Sequence, residues 1–151
     1  MDDLFQFINS SFTVGLTLKE LNVKISSYFN YEVMNYCVQM SNYSSDKYNR
    51  IKLCDYSNDS FELILICWDT NSESRIHDHP QNGCILHLIT GTLEEHLYNH
   101  NIELKQITTL DAGDTTYMDN NLGYHKIKCL NKAMSLHLYS PINHIITILH
   151  P

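Results

Sequence analysis

The apolar positions of this chain fall into two regimes, with the change of period between residues 41 and 47. From residue 3 to about 41 they recur at helical spacing: Leu4 with Phe7 and Ile8, Leu18 with Leu21 and Ile25, Tyr31 with Met34 and Val38. Breaks at Ser10 to Gly15 and at Phe29 to Asn30 divide this stretch, which predicts two or three short α-helices. From residue 47 onward the apolar runs are short and separated by turn residues. They cover Lys47 to Leu53, Phe61 to Trp68, Cys84 to Thr90, Leu93 to Leu97, Ile102 to Ile107, Thr115 to Met118, His125 to Cys129, Ala133 to Tyr139 and Ile145 to Leu149. Runs of this length predict strands. Turns fall at Ser57 to Ser60, Asn71 to Ser74, Thr90 and Gly91, Tyr98 to Asn101, Asp111 to Gly113 and Asn120 to Gly123, a rhythm suited to a small barrel or two-sheet jelly roll. The expected class is mainly β, with a helical segment 1–41 packed on a barrel spanning 47–149.

A chain of 151 residues is expected to fold as a single domain around one sizeable core. Its formal charge of −7, without a cluster of Lys and Arg, argues against binding to nucleic acid, which needs a basic footprint. Small molecules are the expected partners, and a monomer the expected state. No run is apolar for long enough to span a bilayer, and Met1, Asp2 and Asp3 are acidic where a secretory signal would be basic, so a cytoplasmic location is expected. The five cysteines, Cys37, Cys54, Cys67, Cys84 and Cys129, are odd in number and lack the paired spacing of structural zinc sites; reduced thiols are expected.

The candidate chemistry sits in the run Arg75, Ile76, His77, Asp78, His79 and Pro80. Two imidazoles one residue apart on a strand project to the same face and can grip one metal ion, while Asp78 between them points away. A third ligand must come from elsewhere. Taken alone, His-x-His is a weak signal in a chain with nine histidines, and His87, His96, His100, His144 and His150 are read as structural or solvated.

The wider pattern is specific. His77-x-His79-x4-Cys84-x6-Gly91, then Gly113, then Gly123, Tyr124 and His125 resembles the two motifs of a cupin, which implies a double-stranded β-helix. Most cupins carry Glu five positions after the second His, and cysteine dioxygenases are the cupins that place Cys there, as Cys84 does. Leu65 to Trp68, Tyr48 to Arg50, Tyr117 to Asn120 and Ser135 to Pro141 are also similar to the corresponding stretches of cysteine dioxygenases, so the resemblance covers most of residues 48–141.

That resemblance implies a ferrous ion held by His77, His79 and His125. Three neutral imidazoles leave such a site one unit more positive than the commoner two-His, one-carboxylate set, which suits an anionic substrate. It further implies that free L-cysteine and dioxygen are the substrates and cysteine sulfinic acid the product, two steps up the thiol oxidation ladder. Arg50 is implied as the partner of the substrate carboxylate, a role its planar fork fits better than Lys would, with Tyr48 on the same strand face. Tyr139 is implied beside the iron, capable of a thioether crosslink to Cys84, with Ser135 and His137 orienting it. Alternation puts Ser135, His137 and Tyr139 on one face and Leu136 and Leu138 on the other.

Two departures from the family pattern stand out. Cys129 occupies the position four after His125 where the family usually has Asn, so a hydrogen bond that steadies the His strand is expected to be lost or replaced. The segment after Pro141 is also abbreviated. The alternatives are a dioxygenase for another small thiol, such as 3-mercaptopropionate, or a metal-containing cupin that binds a small ligand without turning it over.

Overall fold

The computed structural model describes residues 1–151. Three helices come first, α1 (Asp2–Thr13), α2 (Leu18–Lys24) and α3 (Tyr31–Met40), and their starts are written in local chemistry. Thr17 and Glu20 close a capping box at α2, each side chain accepting from the other's backbone N–H at 2.8 and 3.2 Å, which satisfies donors the helix leaves free. At α3 the Asn30 carboxamide oxygen accepts from the Glu32 and Val33 amides. The buried stripe Leu4, Ile8, Leu18, Leu21, Ile25, Val33 and Cys37 turns inward onto the strands.

Eight strands follow: β1 (Tyr48–Lys52), β2 (Glu62–Trp68), β3 (Ile76–His77), β4 (Cys84–Tyr98), β5 (Leu104–Asp111), β6 (Thr115–Met118), β7 (Tyr124–Tyr139) and β8 (Ile148–Leu149). All pairings are antiparallel, and β7 is the hub, bonded to β2, β3 and β4. All seven residues of β2 are buried because both of its faces are covered, which is why its sequence shows no polar alternation. Leu63, Leu65 and Cys67 join the helices in one core cluster, while Ile64, Ile66 and Trp68 join a second cluster inside the barrel with Cys84, Leu86, Leu88, Leu93 and Tyr139. The same split divides the end of β7: Leu136 and Leu138 pack toward the helices.

The expected elements are present, with four changes of extent. Cys84 to Thr90 and Leu93 to Leu97 form one bent strand, as do His125 to Cys129 and Ala133 to Tyr139. The expected turn at Thr90 and Gly91 is a set of register shifts between Leu88 and Leu93. Gly91 has φ 83°, and a Cβ there would run into the Lys132 carbonyl and Ala133, so only glycine lets the two long strands bend together at close range. Residue 102 falls outside β5, because Ile102 takes a positive φ in a turn closed by its N–H to the Asn99 carbonyl. The last strand shrinks to two residues.

Candidate metal centre

β3 pairs with β7 so that His77 lies opposite His125. The strand ends at His77, so His79 is not on it as the sequence suggested, yet both rings stay on one side of the chain. Ring centroids are 5.2 Å apart for His77 and His79, 4.8 Å for His77 and His125, and 4.4 Å for His79 and His125. One nitrogen from each ring lies within 4.8 Å of the others. Asp78 turns away, as alternation requires, and accepts from His144 Nε2 and the Thr147 amide.

Neighbouring groups fix which nitrogen of each ring is bare. His77 Nδ1 is 2.8 Å from the Arg75 carbonyl, which can only accept, so Nδ1 carries the proton and Nε2 is a lone pair. His125 Nδ1 lies 2.7 Å from Glu95 Oε1, with the same consequence. His79 Nε2 approaches His125 Nε2 to 2.9 Å. Its Nδ1 is buried without a partner, and the residue is steadied through its backbone instead. Asn120 accepts from the His79 amide at 2.8 Å and donates to its carbonyl at 2.9 Å. Burial pushes all three imidazoles below their ordinary pKa, so they are neutral at pH 7. Convergent lone pairs on neutral imidazoles repel one another unless a cation stands between them, and this donor set fits a divalent first-row metal.

His77 and His125 line a cavity of about 130 Å³, together with Tyr48, Arg50, Trp68, His137, Tyr139 and the side chains of four isoleucines. That is below the roughly 300 Å³ at which pockets for drug-sized ligands begin. Arg50 stands exposed at its mouth, its guanidinium carbon 5.4 Å from the centre of the Tyr139 ring, and none of the chain's ion pairs involves it. Tyr48 packs on Trp68 with centroids 4.8 Å apart.

Behind the cavity runs a chain of buried polar groups. Trp68 Nε1 donates to Ser135 Oγ at 2.8 Å, Ser135 Oγ is 2.8 Å from His137 Nε2, and His137 Nδ1 is 3.1 Å from the Tyr139 hydroxyl. One order of protons satisfies the series locally: Ser135 receives from the indole and gives its own proton to Nε2, so Nδ1–H donates to the Tyr139 oxygen. That leaves the Tyr139 O–H free to donate elsewhere. Burial raises the Tyr139 pKa and lowers that of His137, so both are neutral. Cys84 is fully enclosed, paired in register with Tyr139, and its Sγ lies 3.8 Å from the same His137 Nδ1. The structure thus brings all nine sequence-singled residues into one neighbourhood, with Cys84, His79 and Ser135 set back from the cavity wall.

Two residues of the site were not singled out in the sequence. Glu95 supplies the hydrogen bond to the His125 ring, while Cys129 Sγ donates to the Asn131 carbonyl at 3.1 Å. Burial pushes the Glu95 carboxyl up and the His125 imidazole down, so the contact is a neutral imidazole N–H donated to the carboxyl group. The other is Asn120, the clamp on His79. Its signal was its place in the motif-bearing stretch Tyr117 to Asn120.

The family model for cysteine dioxygenase type I matches residues 17–148. Cysteine dioxygenase type 1 of Rattus norvegicus is 32% identical over 104 residues, covering 63% of this chain and 52% of that protein. The Danio rerio protein of the same name is 30% identical over 114 residues, covering 69% and 56%. The chain therefore spans about half the length of these curated relatives. Among solved structures, an uncharacterized Klebsiella pneumoniae protein with a double-stranded β-helix domain aligns with a TM-score of 0.62 at 16% identity, over 76% of this chain and 95% of that one. This likeness shows the fold: a double-stranded β-helix carrying three helices.

Proposed function

Since the chain belongs to the cysteine dioxygenase type I family, we propose that it is an iron-dependent dioxygenase converting the thiol of free L-cysteine into cysteine sulfinic acid. The observation that carries this reading is the convergence of three neutral imidazoles, His77, His79 and His125, at a small cavity that also holds an uncompensated guanidinium. Ferrous iron, once held by these three residues, supplies the redox chemistry by which dioxygen and the thiolate react and both oxygen atoms end on sulfur.

The remaining work falls to the chain's own side chains. Three neutral ligands add no negative charge and Arg50 adds a positive one, so the cavity favours an anionic guest. Arg50 takes the substrate carboxylate in its fork, and Tyr48, held by Trp68, walls that side. Tyr139, steadied from behind by His137 and Ser135, offers its O–H to the polar end of the bound molecule. Ile66 and Ile127, both buried, keep water from the inner side of the cavity, and the half-exposed Ile146 and Ile148 stand at its rim. Cys84 Sγ and the Tyr139 hydroxyl both approach His137 Nδ1, a proximity that supports a thioether between these two side chains in the active protein.

Metal analysis of the purified protein, coupled to oxygen uptake over a panel of L-cysteine, 3-mercaptopropionate and cysteamine, tests the reading. Iron, oxygen consumption with cysteine above the other thiols, and recovery of the sulfinate are expected. Preference for 3-mercaptopropionate would move the substrate assignment. Bound metal without oxygen uptake would make the protein a ligand-binding cupin and overturn the reading.

A further inference from the structure

Asp78 sits between two of the three imidazoles but takes no part in their cluster. Its Oδ1 accepts from His144 Nε2 at 3.0 Å and from the Thr147 amide at 2.7 Å, and its own amide donates to the Thr147 carbonyl at 3.2 Å. These bonds hold a segment whose regular pairing is slight: β8 contributes two residues, Ile76 facing Leu149 and His77 facing Ile148. A two-residue ladder is marginal alone. Alternation along the segment sorts its side chains: Ile146 and Ile148 line the cavity while remaining 40% and 41% exposed, whereas Ile145 is 89% exposed. The Asp78 bonds to residues 144 and 147 therefore bracket Ile146 and set its position over the site.

We propose that Asp78, His144 and Thr147 form a latch that makes residues 144–149 a specificity-determining wall, with Ile146 and Ile148 admitting a small amino thiol and rejecting thiols of greater bulk. The inference rests on the thiol dioxygenase reading above and deepens it. Arg50 selects for a carboxylate but reads nothing of what lies beyond it, since it stands at the open side of the cavity. The apolar wall sets how much more of the molecule fits. A longer amino thiol such as L-homocysteine, or a peptide thiol such as glutathione, meets Ile146 and Ile148 when its carboxylate reaches Arg50. The residue that anchors this wall lies next to both His77 and His79, so the position of the wall is tied to that of the imidazoles.

The test uses the iron-loaded full chain and two independent readouts in His144→Ala, Asp78→Asn and Ile146→Ala. Hydrogen–deuterium exchange reports the latch: the amides of 144–149 are expected to exchange at least about tenfold faster in His144→Ala, the factor carried by one hydrogen bond to a charged acceptor. The kcat/KM ratio of L-cysteine to L-homocysteine reports the wall, and is expected to fall about tenfold in Ile146→Ala and His144→Ala, the scale on which an apolar pocket discriminates a methylene. Parental exchange at 144–149 in both latch variants overturns the anchor. Faster exchange with an unchanged ratio overturns the specificity role. If the parent consumes no oxygen with any thiol, the activity and the specificity role fail together, while exchange still judges the latch.

Discussion

Replacing Glu95 tests whether the carboxyl group behind His125 sets how tightly the three imidazoles hold a metal. The contact is short, 2.7 Å, between side chains that are 13% and 6% exposed. A hydrogen bond to a charged group contributes about 1.5–3 kcal/mol in mutational series, or roughly one to two decades in a dissociation constant. Partners of metal-bound imidazoles carry a similar 10–100-fold effect on affinity, as an order of magnitude. Glu95→Ala, which also frees the His125 ring to turn, is therefore expected to weaken ferrous binding by up to about a hundredfold. Glu95→Gln keeps the shape and an acceptor oxygen but loses the charge, and is expected near tenfold, the lower end of that range. In the metal-free fold Glu95→Ala strands the buried His125 Nδ1–H without its acceptor, so apo stability should fall by about 1–3 kcal/mol. Competition with a chromogenic chelator gives the metal affinity, and thermal melting of apo protein gives the control. Parental iron affinity in Glu95→Ala would refute the reasoning.

Three further outcomes are expected. Arg50→Ala should lower kcat/KM for L-cysteine by about tenfold or more, the scale of a charge-assisted hydrogen bond, and leave cysteamine, which has no carboxylate, little changed; equal losses for both would remove the carboxylate role. His87, stacked on Phe29 at 3.8 Å, has its pKa lowered to about 4 from 6.5 by burial. The fold thus favours the neutral ring, and the stability present above pH 6.5 drains as pH falls toward 4, by up to about 3 kcal/mol at 1.36 per unit. Denaturant melts at pH 7 and pH 4 should show that acid loss shrinking in His87→Gln, and an identical loss would contradict it. Gly91→Ala should cost about 2 kcal/mol or more, combining a positive φ with overpacking against Lys132 and Ala133, read as a fall in Tm.

Period and motif made much of the molecule legible from its residues. The shift from helical spacing to short apolar runs located α1 to α3 and the barrel, and alternation placed Ser135, His137 and Tyr139 opposite Leu136 and Leu138. What stayed hidden depends on cross-strand register. Glu94 and Glu95 read alike along the chain, and only the pairing of β4 with β7, which sets Leu97 opposite His125 and Glu95 opposite Ile127, decides which one reaches the imidazole. Gly91 looked like a turn because glycine signals both a reversal and a bulge. The short reach of β3 was illegible for a related reason: the bonds of Asp78 to a segment some 66 residues away stand where a ladder would otherwise continue.

β7 has a further consequence through its two covered sides. His137 and Tyr139 face the cavity from a strand whose alternate residues, Leu136 and Leu138, pack into the helical layer, so the rear of the cavity is held by the main core. Its front belongs to a segment tethered by a few contacts near the chain end. Local opening is thereby expected on that one flank, where it need not disturb His137 or Tyr139.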